Sequence, residues 1–188
     1  MLYNLSEMKK IFYPVIIVTL LICLPEKAYC QQQSASSVSK PQAGVKLYDP
    51  SLDGMKQIKE AVSAAKSAGK HVLIQYGGNW CGWCIKFDAF CKADTAITKV
   101  ISTNYIPVKL NYDQTNRNDA ANEYLGNPTR FGFPVFIIVD GNGKVLHIQD
   151  SSLLEEGQGY NQKKVLGFFR NWTSEAIVPA SQKKAVKK

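Results

Sequence analysis

Apolar and polar residues recur along the chain with two spacings, which predict alternating helices and strands. From Ser51 onwards apolar residues return every three or four positions, a spacing typical of an amphipathic helix that Gly69 would end. We expect Asp53 or Ser51 to cap its start. A short apolar run at 71–76 follows and predicts a strand. The apolar face of the helix would carry Met55, Ile58, Val62 and Ala65.

The rest of the chain continues this alternation. The turn sequence Asp-Gly-Asn-Gly at 140–143 is a strong hairpin signal between two apolar runs. The order helix, strand, helix, strand, helix, hairpin, helix predicts an α/β fold. The further predicted helices cover 84–91, 96–103, 116–125 and 161–176, and the further predicted strands cover 105–111, 135–139 and 144–149.

Length and composition fit one domain. The chain has 188 residues, of which 45% are hydrophobic, enough to bury a core. Its formal charge is +8, and lysines at the C-terminal end supply part of it. No aromatic residues are interleaved with these lysines, so we expect a solvated tail and no contact with nucleic acid. The lysines are Lys183, Lys184, Lys187 and Lys188.

The first thirty residues are typical of an export signal. Lys9 and Lys10 precede an apolar run at 11–24, and a short segment ends in Ala-Tyr-Cys. The run is too short to span a bilayer comfortably. Cleavage after Cys30 would start the exported chain at Gln31, and we expect a periplasmic location.

A lipid-anchored form is the competing interpretation of this segment. Cys23 and Cys30 both lie near the cleavage zone, but each follows a large residue, whereas a lipoprotein signal places a small residue before its cysteine. After residues 1–30 are removed, we expect a flexible Gln- and Ser-rich spacer at 31–44. A domain at 45–176 and a basic tail at 177–188 would follow.

Two of the three remaining cysteines form a Cys-x-x-Cys motif where a helix would begin. Cys81 and Cys84 are close enough in sequence to form a disulfide, and the helix N-terminus favours a thiolate on Cys81. A free thiol has a pKa of about 8.5, and one in such a motif about 7 or lower. We therefore expect Cys81 to attack and Cys84 to resolve. Cys91, two helical turns further, is expected to be a buried inert thiol, with a regulatory role as the alternative.

A zinc site is the alternative use of this cysteine spacing. The chain has no second Cys-x-x-Cys, and its histidines, His71 and His147, are isolated on predicted strands. The sequence therefore favours redox chemistry, without a metal or another cofactor.

Three segments resemble the thioredoxin superfamily. The sequence Trp-Cys-Gly-Trp-Cys at 80–84 is similar to the W-C-G-x-C of the family. The run at 108–114 resembles its third strand, and Gly-Phe-Pro-Val at 132–135 resembles the segment that carries its cis-proline. The resemblance spans about 45–176. It implies the thioredoxin fold, a central mixed β-sheet with helices on both faces.

The resemblance also implies a substrate platform beside the cysteines. Pro134 should follow a cis bond and face the motif, which leaves the backbone of Phe133 free to pair with an extended substrate. Trp80 should cover the disulfide from one side, with a plain surface aromatic as the alternative. We expect the substrate to contact Trp80, Gly82, Trp83, Phe133 and Pro134.

The sequence departs from the family at one buried position. Where the family has an acid that helps to deprotonate the resolving cysteine, this chain has Gln75, and no acidic neighbour is expected to replace it. The matching strand lysine is kept as Lys109. An amide cannot accept a proton, so the activation of Cys84 is in doubt. The alternative is that Gln75 is a polar core residue bonded to Lys109 or water.

These features predict an exported thiol-disulfide oxidoreductase that acts on cysteines of other exported proteins. Trp83 has no titratable group to stabilise a thiolate, which leans towards a reductase. The alternatives are a disulfide isomerase and a client-binding or chaperone module without turnover. A reductase would need an electron donor, such as a membrane thiol carrier. We expect a monomer.

Overall fold

A four-stranded sheet organises the part of the chain that the structure describes. The structure is a computed structural model, and its description covers residues 46–179. The predicted export signal at 1–30, the spacer at 31–44 and all but the first three residues of the tail at 177–188 lie outside the described residues. Within residues 46–179 no helix is long and apolar enough to cross a membrane.

Five helices and six strands follow one another along this region. The helices are α1 (Gly54–Ala68), α2 (Gly82–Ala93), α3 (Thr95–Asn104), α4 (Asp119–Tyr124) and α5 (Gln162–Asn171). The strands are β1 (His71–Gly77), β2 (Tyr105–Asn111), β3 (Val135–Val139), β4 (Val145–Asp150), β5 (Glu155–Glu156) and β6 (Gly159–Tyr160). Short 3₁₀ turns occupy Pro128–Phe131 and Ser151–Leu154.

The main sheet is mixed and has β1 near its centre. Its strand order is β2-β1-β3-β4, with β1 parallel to β2 and antiparallel to β3. Every residue of β1 is buried, which explains why its sequence is a nearly continuous apolar run. The register places Gln75 of β1 opposite Lys109 of β2. This pairing brings the polar residues of two strands together below the motif.

Helices cover both faces of this sheet, as predicted. On one face α1 and α4 pack on Ile74, Leu110 and Ile137. On the other face α2, α3 and α5 pack around Phe136 and Ile138. The sheet therefore separates two apolar clusters, and α/β architecture with a thioredoxin-type layout is confirmed.

Helix α1 begins and ends where the sequence predicts. Asp53 is its N-cap, and the side chain accepts a hydrogen bond from the backbone N–H of Lys56 at 2.9 Å. Ser51, the other candidate, bonds instead to Asp49. Gly69 ends the helix in the left-handed region at φ 65°, which a residue with a Cβ rarely adopts.

Two predicted helices are longer than the real ones. The helix predicted at 116–125 begins only at Asp119, because Asn118 is left-handed at φ 52°. The helix predicted at 161–176 ends at Asn171. The carbonyl of the next residue, Trp172, accepts a hydrogen bond from His71 at 2.8 Å, and its ring stacks on His147 at 4.4 Å. Both histidines therefore have structural partners.

The large aromatic residues of the second cluster should carry much of the stability. Phe169 is fully buried and packs against Phe87 and Phe168. We expect Phe169→Ala to lower the free energy of unfolding by about 3–5 kcal/mol, because it removes a large buried ring and leaves a cavity. Urea denaturation measures the change. Leu153→Ala, at an exposed position, is the control and should have little effect.

Candidate active site

A disulfide joins the two cysteines of the motif at the N-terminus of α2. The Cα atoms of Cys81 and Cys84 are 5.2 Å apart. Cys81 is the N-cap of the helix, and its sulfur accepts a hydrogen bond from the backbone N–H of Cys84 at 3.1 Å. Cys81 is 5% exposed and Cys84 is 0% exposed. Cys81 therefore lies closer to solvent, with its sulfur where the helix terminus favours negative charge.

The turn from β1 into the motif relies on two glycines. A methyl group on Gly77 would lie 2.4 Å from the sulfur of Cys84, and one on Gly78 would lie 2.6 Å from the carbonyl oxygen of Tyr112. Neither position has room for a Cβ atom. Because glycine has no Cβ atom, the backbone at these two positions can pass close to the disulfide and to Tyr112, which no other residue would allow.

Asn79 ties the start of the domain to this turn. Its side-chain oxygen accepts hydrogen bonds from the backbone N–H groups of Leu47 (2.9 Å) and Tyr48 (3.0 Å). Its amide nitrogen donates to the carbonyl of Tyr48 at 2.7 Å. These three contacts hold Tyr48 beside the cysteines, and Tyr48, Cys81 and Cys84 form one buried cluster.

An aromatic group borders the Cys81 side of the motif. Trp80 is 57% exposed, and its indole N–H donates to the carbonyl of Tyr112 at 2.6 Å. Its ring meets Phe133 edge to face at 5.5 Å, and Phe133 packs in turn against the disulfide cluster. The Phe133-Pro134 peptide bond is cis. The fold therefore brings three of the predicted site residues, Trp80, Phe133 and Pro134, to one area.

Trp83, another predicted site residue, packs against the loop at 151–160. Its ring meets Tyr160 edge to face at 5.5 Å, and Lys86 lies 4.3 Å above the ring centre. The hydroxyl of Tyr160 donates to the carbonyl of Trp83, and Lys86 donates to the carbonyl of Gln158. The loop, which contains β5 and β6, therefore borders the motif beside Trp83. Gly82 is exposed, with open space around it.

Gln75 and Lys109 are bonded to each other below Cys84, as one of the two interpretations predicted. The ammonium of Lys109 donates to the side-chain oxygen of Gln75 at 2.6 Å. The amide nitrogen of Gln75 donates to the carbonyl of Cys84 at 3.0 Å and to the hydroxyl of Tyr48 at 2.8 Å. Gln75 thus connects β1, β2, α2 and the N-terminal segment.

The expectation that no acidic neighbour replaces the acid missing at Gln75 is wrong, because an acid pairs with Lys109. Asp88 of α2 forms an ion pair with Lys109 at 2.7 Å and another with Lys92 at 2.8 Å. Burial raises the pKa of Asp88, but the hydrogen bonds from both lysines outweigh burial and hold that pKa below its ordinary value. Burial lowers the pKa of Lys109, against the effect of Asp88. An acid is present, but on a different element from the one that carries it in the family.

Sequence reasoning missed Asp88 and Tyr48. Asp88 lies four residues after Cys84, so helical spacing alone places the two residues on one face of α2. Tyr48 has no comparable local signal, because its contact with Gln75 joins residues 27 positions apart.

Cys91 is the third cysteine of the described region, and it is buried away from solvent. It lines a cavity of about 340 Å³ together with Asp88 and Lys109. Burial raises the pKa of its thiol to about 12. Such a thiol carries almost no thiolate at neutral pH and is therefore unreactive. Among residues 46–179 no group of three or more His, Cys, Asp or Glu side chains is placed to hold a metal ion.

Comparisons with known proteins agree with this architecture. A family model described as thioredoxin-like matches residues 53–141. The solved structure of a disulphide isomerase from Xylella fastidiosa Temecula1 is 26% identical, with a TM-score of 0.61, over 69% of this chain and 98% of that chain. The family match and this structural neighbour both support the resemblance to the thioredoxin superfamily.

A second solved structure, described as a DsbH oxidoreductase, is 24% identical with a TM-score of 0.42. It covers 53% of this chain and 72% of that chain. No curated protein matches the sequence. The family match and the disulphide isomerase structure support a thioredoxin-like thiol-disulfide oxidoreductase in general.

The ion pair of Asp88 predicts a pH-dependent contribution to stability. Because the folded-state pKa of Asp88 is depressed, its contribution is fully present above the unfolded pKa of about 3.9 and is lost as the pH falls through the folded value. We expect Asp88→Asn to lower the free energy of unfolding by about 1–3 kcal/mol at pH 7. The difference from the wild type should shrink steadily below about pH 4.

Urea denaturation at a series of pH values measures this difference. Glu60→Gln is the matched control, since Glu60 pairs with Lys56 on the exposed face of α1 at 3.9 Å. It should leave stability unchanged at every pH. A loss for Asp88→Asn that is equally large at pH 3 and pH 7 would contradict the ion pair.

Proposed function

We propose that the protein is an exported thiol-disulfide oxidoreductase that exchanges disulfides with other exported proteins. The observation that carries the proposal is the Cys81–Cys84 disulfide at the N-terminus of α2, with Cys81 nearer to solvent and Cys84 buried behind it. The outer sulfur is the one a substrate can reach. The inner sulfur can then attack only after the outer one has reacted.

The reaction consists of two exchanges. In the reduced protein the thiolate of Cys81 attacks a sulfur of a substrate disulfide, forms a mixed disulfide and releases one substrate thiolate. The thiolate of Cys84 then attacks the sulfur of Cys81, and the second substrate sulfur leaves as a thiolate. The substrate has gained two electrons, and the motif has returned to its disulfide. A thiol donor, such as a membrane thiol carrier, must reduce it again.

The surface beside Cys81 is suited to an extended polypeptide. The rings of Trp80 and Phe133 meet edge to face, Phe133 packs against the cluster of the two cysteines, and Pro134 immediately precedes β3. The backbone of Phe133 supports strand addition by a substrate segment that runs past Cys81. Trp83, with Gly82 in open space beside it, would contact the substrate on the side towards the loop at 151–160. Gln75 and Lys109 would tune the reactivity of Cys84 from below.

Replacement of each cysteine should separate the two exchanges. We expect Cys81→Ser to abolish the reduction of insulin by dithiothreitol-recycled protein, because the attacking sulfur is lost. Cys84→Ser should retain the first exchange and accumulate a stable mixed disulfide on Cys81, which intact-mass spectrometry detects after incubation with glutathione disulfide. Cys91→Ala is the control and should reduce insulin normally. Accumulation on Cys84 in Cys81→Ser instead would reverse the roles of the two sulfurs.

The redox potential decides the direction of the reaction. No histidine lies between the cysteines, and Lys109 is held by Asp88 and Gln75, so we expect moderate stabilisation of the thiolate form. This predicts a potential below roughly −180 mV in a glutathione titration followed by tryptophan fluorescence. A value near −120 mV would instead indicate an oxidant, and cysteines that fail to interconvert would indicate a client-binding module.

Disulfide isomerase is the second candidate, because the structure from Xylella fastidiosa with 26% identity carries that description. An isomerase returns activity to scrambled ribonuclease without net reduction. In this assay Cys84→Ser should stay partly active if the protein is an isomerase, since isomerisation can proceed through the mixed disulfide alone. A reductase requires both cysteines.

A further inference from the structure

A chain of polar side chains leads from the outer side of α2 to the buried cluster that contains Cys84. Asp88 pairs with Lys109 at 2.7 Å, and Lys109 donates to the oxygen of Gln75 at 2.6 Å. The amide nitrogen of Gln75 then donates to the hydroxyl oxygen of Tyr48 at 2.8 Å. Three elements and the N-terminal segment contribute one residue each, and the chain ends beside the redox pair.

The chemistry of these groups fixes the direction of every hydrogen bond. An ammonium only donates, so the amide of Gln75 must turn its oxygen towards Lys109. A backbone carbonyl only accepts, so the nitrogen of the same amide must face the carbonyl of Cys84, 3.0 Å away. Both constraints select one orientation of Gln75. In that orientation the oxygen of Tyr48 receives a hydrogen bond, and its own O–H is free to donate elsewhere.

The hydroxyl of Tyr48 and the sulfur of Cys84 lie against the same backbone position, Gly77. Tyr48 is 2% exposed and packs in one cluster with both cysteines. A methyl group on Gly77 would lie 2.4 Å from the sulfur of Cys84 and 3.0 Å from the hydroxyl oxygen of Tyr48, so both atoms flank the same backbone position. Within residues 46–179 the bond from Gln75 is the one hydrogen bond that this hydroxyl makes.

A buried hydroxyl hydrogen without an acceptor is costly, and the sulfur beside it changes its accepting power during the reaction. In the disulfide the sulfur of Cys84 is a weak acceptor. In the thiolate it is a charged and much stronger one. Tyr48 therefore lies in the same buried cluster as the sulfur on which negative charge develops.

We propose that Tyr48 is a catalytic residue that donates a hydrogen bond to the thiolate of Cys84 while this thiolate attacks the mixed disulfide. Gln75, Lys109 and Asp88 are positioning residues that keep the hydroxyl in this orientation. The inference deepens the proposed function and rests on it. It replaces proton acceptance by a buried acid with stabilisation of the anion by a neutral donor.

The step balances without a further reactant. The proton of the Cys84 thiol passes to solvent before the attack, and Tyr48 keeps its own proton throughout. The bond between Cys81 and the substrate sulfur breaks as the bond between Cys84 and Cys81 forms. The substrate leaves as a thiolate and takes a proton from water. The charged or titratable groups around the chain are Asp88, Lys92, Lys109, Cys91 and Tyr160.

Ellman's reagent separates the attack by Cys84, in which Tyr48 would act, from the attack by Cys81, in which it would not. Reduced protein should release one nitrothiobenzoate when Cys81 attacks the reagent and a second one when Cys84 resolves the mixed disulfide. Stopped-flow absorbance follows both phases. The first phase reports Cys81 alone, whereas the second reports the attack by Cys84.

We expect Tyr48→Phe to slow the second phase by roughly threefold and to leave the first unchanged. Loss of a hydrogen bond to a charged group should raise the pKa of Cys84 by about one unit, which lowers its thiolate fraction about tenfold. The more basic thiolate is about threefold more nucleophilic, which offsets part of the loss. Alkylation of Cys84 in a Cys81→Ser background, followed over pH, measures the pKa shift directly.

Two further variants make the test specific. Tyr105→Phe removes another buried tyrosine hydroxyl, one that donates to the carbonyl of Phe169 away from the motif, and should change neither phase. Gln75→Glu should slow the second phase as Tyr48→Phe does, because a carboxylate would draw the O–H of Tyr48 away from the sulfur.

The outcomes distinguish this inference from the proposed function. Equal second-phase rates in the wild type, Tyr48→Phe and Gln75→Glu would overturn the role of Tyr48 and leave the two-cysteine reaction intact. A wild-type protein that releases only one nitrothiobenzoate would overturn the proposed function and the inference with it. If Tyr48→Phe also loses the first phase through misfolding, Gln75→Glu decides.

Discussion

The contact of the Lys109 ammonium with Gln75 and Asp88 links the sheet to the helix that carries the redox pair. Lys109 lies on β2, Gln75 on the central strand β1, and Asp88 on α2. The side chain of Lys109 is 30% exposed, so its charge is partly withdrawn from water and is stabilised by the acceptors that contact it. The ammonium therefore fixes the spacing between α2 and the sheet, and with it the depth of Cys84. Most of the site geometry depends on this one cation having two partners.

The pairing of Lys109 with Asp88 explains why position 75 can hold an amide where the family has an acid. A carboxylate at that place would face Asp88 across the same lysine, and two anions would compete for one cation. With Gln75, the single acid is Asp88, which lies closer to the surface and is also paired with Lys92. The side chain that contacts the backbone of Cys84 is then a neutral amide donor and not a carboxylate. An environment of this kind favours negative charge on sulfur, whereas a buried carboxylate opposes it.

Local chemistry explains which parts of the fold were predictable from sequence. The sequence predicts both ends of α1, because Asp53 and Gly69 lie directly at the ends of the helix and cap its first and last turns. The pairing of Gln75 with Lys109 followed from family spacing. The end of α5 at Asn171 was missed because it depends on packing of Trp172 against histidines of two strands. Tyr48 was missed because Asn79, 31 positions away, holds it in place, and no periodic signal reaches that far.

The position of Cys91 on α2 limits which disulfides the domain can form. Three cysteines allow three different pairings, of which only Cys81 with Cys84 supports exchange. Cys91 lies seven residues after Cys84 on the same helix, and seven residues of α-helix span about 10 Å, beyond the roughly 7 Å between Cα atoms that a disulfide allows. While α2 is formed, both wrong pairings are geometrically excluded. Oxidation of the folded domain therefore has a single product, however many cycles it completes.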